Sequence, residues 1–525
     1  MPITTNPEFI GTNGRSGSNI LGHTKNRRLT GNSSLLFTVS LILFTILTYA
    51  AYYVHAFFSL VIWIPFFQTL VKTDISLRAL RLFIFILVFN IVSSFWLSSI
   101  SLPKGVSIWV ANSLLMYLPV AVCLLLGRRL ISNESRITVL IICWIAFEML
   151  HHQWRLNWPW LSLGNNFGSV PKLVQWYQYT GMLGGTAWIL LTSAYSLIVF
   201  DAIALKKTLI LTAIIMVPIA ISLWLITQEA KKEGMVEVYI VQPNAGKGSD
   251  ELRLLDSVFA KVKVTPPSSE AILFLTETFL KERTSTDAIL DSRSIIRIKR
   301  HLKAHPNISV LTGILLSRPS EDDEAILDSA LNLRYDLLDA IMKIDTSQVI
   351  VFRSKSKLIP VEEYKRGLLK VIPFESDDFT PGEGVHSMKI NRHLNIVPVI
   401  CFELLFGNDI ARAVSQDVGL IAMIGNEQLL KSSHEKEYYT NIARLRAIEN
   451  QKYLIKASNK GKCCIISPTG QITIKMVDDK FGVLKCVVPN VKHQSFYTHN
   501  VGAIEIGIYL IFLTTIIGTL FFGRK

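Results

Sequence analysis

The sequence predicts a two-part protein: a bundle of eight membrane-spanning helices joined to an α/β layered domain outside the membrane. Three observations carry this. Of the 525 residues, 50% are hydrophobic and 18% charged, against about 25% charged in a soluble domain. The deficit is local, because long apolar runs crowd roughly the first 230 residues and the last 25. Residues 235–500 have ordinary globular composition, with short β-branched runs alternating with stretches of helical period. This excludes a soluble enzyme, a secreted disulfide mini-domain and a disordered chain. The net charge of +14 fits cytoplasmic loops rich in Lys and Arg. There is no zinc-finger cysteine spacing and no aromatic-basic interleaving, which argues against a nucleic-acid partner. Six cysteines, Cys123, Cys143, Cys401, Cys463, Cys464 and Cys486, are too irregular for a disulfide framework.

Residues 1–33 are polar and read as a disordered cytoplasmic tail. No small-residue cleavage site follows the first apolar run, so no cleaved signal peptide is expected. A span needs about 20 apolar residues. The candidates are 34–54, 57–71, 81–100, 106–127, 136–152, 183–203, 208–227 and 502–522, the second of them short. With all eight, Lys25, Arg27 and Arg28, then Lys72, Arg78 and Arg81, then Arg128, Arg129 and Arg136, then Lys206 and Lys207, and finally Arg524 and Lys525 fall on one side. The alternate short loops 52–57 and 101–105 carry a single Lys, Lys104. The positive-inside rule then puts both termini in the cytoplasm and the long segment 228–501 on the far side. That gives four parts: the tail 1–33, seven spans over 34–227, an extracytoplasmic domain over 228–501, and a last span with a basic tail over 502–525.

The loop 153–182 lies on the far side and is rich in aromatic residues. Headgroup anchorage is the favoured reading; the alternative is a wall of a lipid-entry site. Glu148, His151 and His152, at the outward end of span five, are expected to snorkel to the headgroups, although an ionisable group in a span is a functional candidate. Cys123 and Cys143 read as packing residues inside spans. His434 reads as a surface residue.

In the extramembrane part, strands are expected at 236–242, 271–276, 308–315, 348–353, 395–400, 418–424, 452–457 and 463–467, and helices over 286–304 and 435–450. Near-continuous apolar strands imply sheets covered on both faces, hence a layered α/β domain. Three strands end in reactive groups: Glu277 after AILFLT, Lys355 one residue beyond QVIVFR, and Cys401 after NIVPVI. Sites in such domains collect beyond strand ends. Each residue alone has a bland reading as a cap, a solvated cation or a buried thiol. Together they make a base, a fixed cation and a nucleophile. Glu277 would take the thiol proton and return it to the leaving group. The Lys355 ammonium would lower the thiol pKa, and with the Phe402 N–H it would stabilise an oxyanion. The chemistry is two-step covalent acyl transfer. No metal or cofactor is required. Cys463 and Cys464, adjacent on a strand, point to opposite faces and read as core thiols. Arg444 and Glu449 read as residues that stitch the core.

The ordered Glu, Lys and Cys, with VQPN at 241–244, KSKLIPVEEY at 355–364, CFELLFG at 401–407 and ARLRAIENQKYLIKASNKG at 443–461, resemble the carbon-nitrogen hydrolase (nitrilase) superfamily. Eight spans around such a domain, with WPWLSLG at 158–164 and QWYQYTGMLGG at 175–185, resemble its membrane-embedded branch, the apolipoprotein N-acyltransferase family, over about residues 35–525. The resemblance implies an αββα sandwich in a bacterial inner membrane, with the catalytic domain in the periplasm. It implies acyl transfer from a phospholipid onto Cys401, then onto the α-amine of a diacylglyceryl-cysteine at a lipoprotein N-terminus, the final step of lipoprotein maturation. Glu277, Lys355 and Cys401 match the family's base, lysine and nucleophile. Glu363 and Glu403 match supporting glutamates, Phe402 stands where a Tyr is usual, and Asn426 opens the turn that follows a later strand. Thr276, Glu362, Gln428 and Leu429 depart from the family's usual Pro, Gly and Trp-Phe, which weakens the substrate-loop match and leaves the triad intact. The alternatives are a membrane-tethered amidase that uses water as second nucleophile, and an inactive membrane scaffold. Loop 153–182, and then the segments around Phe352 and Phe374, are candidate lids.

Overall fold

The computed structural model describes residues 20–73, 75–127, 129–130, 132–228, 233–246, 248–262, 270–323, 325–328, 333–366 and 377–522, with backbone only for 20–33, 75, 76, 328 and 522. Arg128, Phe374, Arg524, Lys525 and residues 1–19 of the expected tail lie outside these.

Every apolar run forms helix. In chain order these are α1 (Ile20–Tyr49), α2 (Ser59–Ile62), α3 (Ile64–Lys72), α4 (Ile75–Ser93), α5 (Leu97–Ile100), α6 (Leu102–Met116), α7 (Leu118–Leu126), α8 (Asn133–His151), α9 (Tyr177–Asp201) and α10 (Leu205–Leu225). The breaks have local causes. Pro65 and Pro119 sit in the first turns of α3 and α7, where the missing N–H costs nothing. Inside α9, Gly181 takes φ +63°; a side chain there would be strained and would overlap the Tyr497 ring. Among the described residues, five helical stretches are long and apolar enough to cross a membrane: 34–54, 102–126, 177–201, 205–225 and 496–521. The run 56–72 is a shorter apolar helix.

Beyond α10 the strands are β1 (Met235–Gln242), β2 (Ala271–Phe274), β3 (Leu280–Ser285), β4 (Ile308–Pro319), β5 (Ile326–Asp328), β6 (Leu333–Ile344), β7 (Val349–Ser354), β8 (Met388–Lys389), β9 (Asn395–Ile400), β10 (Val418–Asn426), β11 (Tyr453–Asn459), β12 (Cys464–Ile466), β13 (Ile472–Lys475) and β14 (Gly482–Pro489). The helices are α11 (Glu251–Phe259), α12 (Arg293–Ala304), α13 (Gly407–Ala413), α14 (Ser433–Asn450) and α15 (Phe496–Phe522). One sheet runs β14-β1-β2-β4-β6-β5, with β3 on β4 and β7 on β6; the other runs β13-β12-β11-β10-β9-β8.

The two-residue period of a strand sorts each side chain into a layer. On β1, Val238 and Ile240 face the core between the sheets, while Tyr239 and Val241 face the outer cluster with Leu255, Ile295 and Ile298 of α11 and α12. On β10, Leu420, Ala422 and Ile424 face the inter-sheet core. Ile421 and Met423 face α14. The result is a four-layer α-β-β-α sandwich. The cluster under α14 continues into the membrane half: Ile442, Leu445 and Ile448 share it with Trp160, Phe167 and Trp144. The two halves therefore meet through one apolar core. Cys463 and Cys464 are both buried, in different clusters, as their opposed faces require.

Four expectations need correction. Glu148, His151 and His152 are buried and do not snorkel. Glu148 accepts hydrogen bonds from Trp144 Nε1 at 3.2 Å, the Leu163 N–H at 3.0 Å and Thr186 Oγ1 at 2.6 Å, and His151 Nε2 accepts from the Trp158 N–H at 2.9 Å. They fasten loop 153–182, whose neighbours supply partners that headgroup water would otherwise supply. That loop is not a headgroup anchor: Trp158, Trp160 and Phe167 are buried, because the α/β domain sits on them. His434 is half-buried and stacks on Tyr53 at 4.5 Å. Phe352 packs against the inter-sheet core, which leaves it no freedom to act as a lid.

Candidate active site

The three reactive residues come from three strand ends that the sandwich brings together. Glu277 lies three residues past β2, Lys355 directly past β7, and Cys401 directly past β9. Lys355 is fully buried, and its Nζ lies 2.7 Å from Glu277 Oε1, 2.8 Å from Glu363 Oε1 and 3.5 Å from Asp339 Oδ2. The oxygens of these three carboxylates lie within 4.8 Å of one another, and the cation among them is this ammonium. Burial works against the Lys355 charge, but the Glu277 and Glu363 carboxylates outweigh it and hold Lys355 well above its ordinary pKa. Burial and the neighbouring Glu277 push Asp339 well above the usual carboxylate range. Burial likewise raises Glu363, against the pull of Lys355. Burial and mutual repulsion thus push these carboxyls up, while the shared ammonium pulls them down. Gly313 of β4 lets Glu277 approach: a Cβ there would lie 1.7 Å from the Glu277 carbonyl oxygen.

Cys401 begins a short 3₁₀ turn, Cys401–Leu405, with φ +41°. A side-chain-bearing residue held in that region stores strain, and the surroundings fix it. Its carbonyl accepts a hydrogen bond from Tyr439 Oη at 2.6 Å. The Tyr439 ring stacks on Trp160 of the membrane-edge loop at 5.5 Å and 9°, and Lys456 Nζ lies 5.4 Å from its centroid. Burial, followed by the charge of Glu277, pushes the Cys401 thiol well above its ordinary pKa; Lys355 pulls the other way and is outweighed. Lys355 does lower the thiol as expected, but burial and the Glu277 charge are larger and the net direction is upward.

Glu403 faces away from the thiol. It takes a bidentate pair from Arg353 at 2.7 and 2.5 Å, and it accepts from the Ser356 N–H and Oγ, both at 2.8 Å, and from the Ile400 N–H at 2.9 Å. Burial pushes it up, but Arg353 and these donors outweigh that and hold it below its ordinary pKa. It ties the end of β7 to the end of β9, so that Lys355 and Cys401 stay in register. Asn426 ends β10; its carbonyl lies 4.0 Å from Cys401 Sγ, and its Nδ2 donates to Thr278 Oγ1 at 2.9 Å. Phe402 is buried, its ring 6.2 Å from Trp158 and 5.5 Å from Phe406. Glu449 is buried and paired with Arg446 at 3.2 Å, and Arg446 Nη2 donates to Asn165 Oδ1 of the membrane half at 3.0 Å.

Cys401, Phe402 and Asn426 open onto a cavity of about 370 Å³ whose far wall is the membrane half: Trp96 just before α5, Ile100 of α5, Ile108 and Leu115 of α6, and Trp158 and Trp160 from the loop. Asp339, Arg353 and Tyr439 were not singled out in the sequence. Asp339 sits on β6, whose LRYDLLDAIMKI has four charged residues and lacks the apolar run that marked the other strands. Arg353 was visible as the last residue of QVIVFR, two before Lys355, but nothing local shows that it meets Glu403.

Residues 40–195 match the sequence model of the apolipoprotein N-acyltransferase N-terminal domain, and residues 323–488 that of the carbon-nitrogen hydrolase domain. The apolipoprotein N-acyltransferase of Wigglesworthia glossinidia brevipalpis is 24% identical over 345 residues, covering 63% of this chain and 65% of that protein. That of Rickettsia prowazekii is 23% identical over 408 residues, covering 73% and 79%, and that of Photobacterium profundum is 21% identical over 419, covering 76% and 77%. The chain thus spans just under two thirds of the first of these relatives and more of the others. Among solved structures, an amidase from Nesterenkonia sp. aligns with 14% identity and a TM-score of 0.34, covering 52% of this chain and 96% of that one. The match over residues 323–488 marks the α/β half as a carbon-nitrogen hydrolase domain. With the membrane half matched as well, the chain belongs to the apolipoprotein N-acyltransferase family.

Proposed function

We propose that the protein is a membrane acyltransferase that moves an acyl chain from a phospholipid, through a thioester on Cys401, to the α-amine of a diacylglyceryl-cysteine at a lipoprotein N-terminus. The observation that carries this is the cavity: the thiol opens into an almost wholly apolar space walled by membrane helices, which suits a lipid chain. In the first half-reaction Glu277 takes the Cys401 proton as Sγ bonds to the ester carbon. The oxyanion faces Lys355 and the Phe402 N–H. The carbon–oxygen bond breaks, and Glu277 returns the proton to the lysophospholipid oxygen. In the second half the neutral amine attacks the thioester and loses its proton to Glu277, which returns it to Sγ as the carbon–sulfur bond breaks. An α-amino pKa of about 8 leaves enough neutral amine for this. Water has to be kept out, or the thioester hydrolyses. Glu363 and Asp339 hold Lys355; Glu403 and Asn426 support the loops around Cys401.

The eight-span path and the four-part division given above are part of this proposal, with the catalytic domain on the periplasmic face of a bacterial inner membrane and both termini in the cytoplasm. Side-to-side contacts support it. Lys72, after the second span, pairs with Asp201 at the end of the sixth at 2.6 Å. Arg129, before the fifth, donates to the Leu520 carbonyl at the end of the last. At the opposite end, Lys104, before the fourth, meets Glu362 of the catalytic domain at 2.6 Å.

The test is intact-protein and peptide mass spectrometry after incubation with phospholipid, compared with Cys401→Ser. An acyl-sized mass on the Cys401 peptide, discharged by a diacylated lipopeptide and only slowly by water, is expected. No adduct, or discharge by water at the same rate, sinks the reading in favour of a scaffold or an amidase.

A further inference from the structure

The cavity beside Cys401 holds one clue to how its donor is oriented. Among the described residues that line it, Lys104 is the one cation. It lies in the first turn of α6, with no acidic residue there, so the partial positive charge of the helix N-terminus adds to its own. Its Nζ pairs at 2.6 Å with Glu362, the other charged residue on that part of the wall. The third charged lining residue, Glu427, is occupied by Lys456. The Lys104–Glu362 pair joins the membrane half to the segment that carries Glu363, and both side chains are partly open, at 24% and 32% exposure. A part-exposed ion pair contributes little and exchanges partners readily.

A phospholipid whose ester carbon reaches Cys401 places its phosphodiester within a few bonds of that ester, on the wall of the same cavity. A phosphate needs a cationic donor there, because an unpaired charge beside apolar walls is costly. We propose that Lys104 is the phosphate-binding residue of the donor site, and that Glu362 is a resident counter-ion which the phosphate displaces. This deepens the acyltransferase reading and rests on it. The exchange explains why a cation stands in the short loop that otherwise lacks one: it is neutralised when the site is empty and charged toward the phosphate when the site is filled. It also gives Glu362 a consequence of its own. The carboxylate competes with the phosphate for Lys104, so removing its charge strengthens donor binding.

The experiment uses the full-length protein in detergent with two acyl donors, dipalmitoyl phosphatidylglycerol and the phosphate-free p-nitrophenyl palmitate, reading acyl-enzyme formation at Cys401. Lys104→Met is expected to raise the KM for the phospholipid about tenfold, the share of one charge-assisted hydrogen bond, and to leave the aryl ester within about twofold of the wild type. Glu362→Gln is expected to lower the phospholipid KM. A separate arm measures binding of dihexanoyl phosphatidylglycerol and of dihexanoylglycerol to the Cys401→Ala protein. Lys104→Met weakens only the first. Equal losses for both donors, or no loss for either, overturn the phosphate assignment. A wild type that forms no acyl-enzyme from either donor sinks the acyl-transfer reading instead, and the binding arm still decides the phosphate site on its own.

Discussion

Arg353→Met removes the cation that neutralises Glu403, and the size of its effect follows from the contacts. The Arg353 and Glu403 side chains are 6% and 0% exposed. Breaking such a pair from one side leaves a buried charge and costs about 3–5 kcal/mol. Glu403 would keep three donors, the Ser356 N–H and Oγ and the Ile400 N–H, so the lower end, about 3 kcal/mol, applies. For a domain of this size, about 2–4 °C of Tm is lost per kcal/mol, which gives a drop of about 6–12 °C. The assay is thermal unfolding of the full-length protein in detergent. Arg353→Met with Glu403→Gln removes the unpaired charge as well and should recover at least half of the loss, a positive coupling of neighbours. Acylation of Cys401 should fall in the single variant even below its Tm, since the pair holds the ends of β7 and β9 together. A Tm drop under about 2 °C, or a double variant worse than the sum of the two singles, would refute the reasoning.

Two further outcomes follow from the same geometry. Tyr439→Phe deletes the hydrogen bond to the Cys401 carbonyl while keeping the stack on Trp160; a neutral bond contributes about 1 kcal/mol, so acylation should slow about fivefold with KM unchanged, and a rise in KM at unchanged kcat would contradict a positioning role. Burial pushes Glu449 up to about 7. A carboxyl raised on folding binds more protons in the native than in the unfolded state, so stability falls as pH rises from the ordinary carboxyl range, about 4.5, to about 7. Glu449→Gln should flatten that slope, which denaturant titrations across the window measure, and an unchanged slope would rule Glu449 out as its source.

Much of the architecture is legible in the sequence. Composition and apolar length announced apolar helices, because hydropathy is a local, additive property of sequence. Strand ends marked Glu277, Lys355 and Cys401 because the layered fold puts chemistry there. What stayed hidden depends on which segments meet. Asp339 lies on a strand whose charged residues break the apolar run, and its proximity to Lys355 exists only once β6 pairs with β7. The same holds for Arg353 and Glu403, which are 50 residues apart in the chain.

The sequence by itself determined that the protein has a membrane half and an α/β half, and that Glu277, Lys355 and Cys401 stand at strand ends. Hydropathy, charge bias and strand pattern are properties of short stretches, and they survive without the fold. Only the tertiary structure decided that Lys355 is shared among three carboxylates, that Cys401 is kept as a thiol by burial, and that loop 153–182 packs on the catalytic domain as a wall of the cavity. Those outcomes are set by desolvation and by contacts between distant segments, which exist only after both halves have closed on one core.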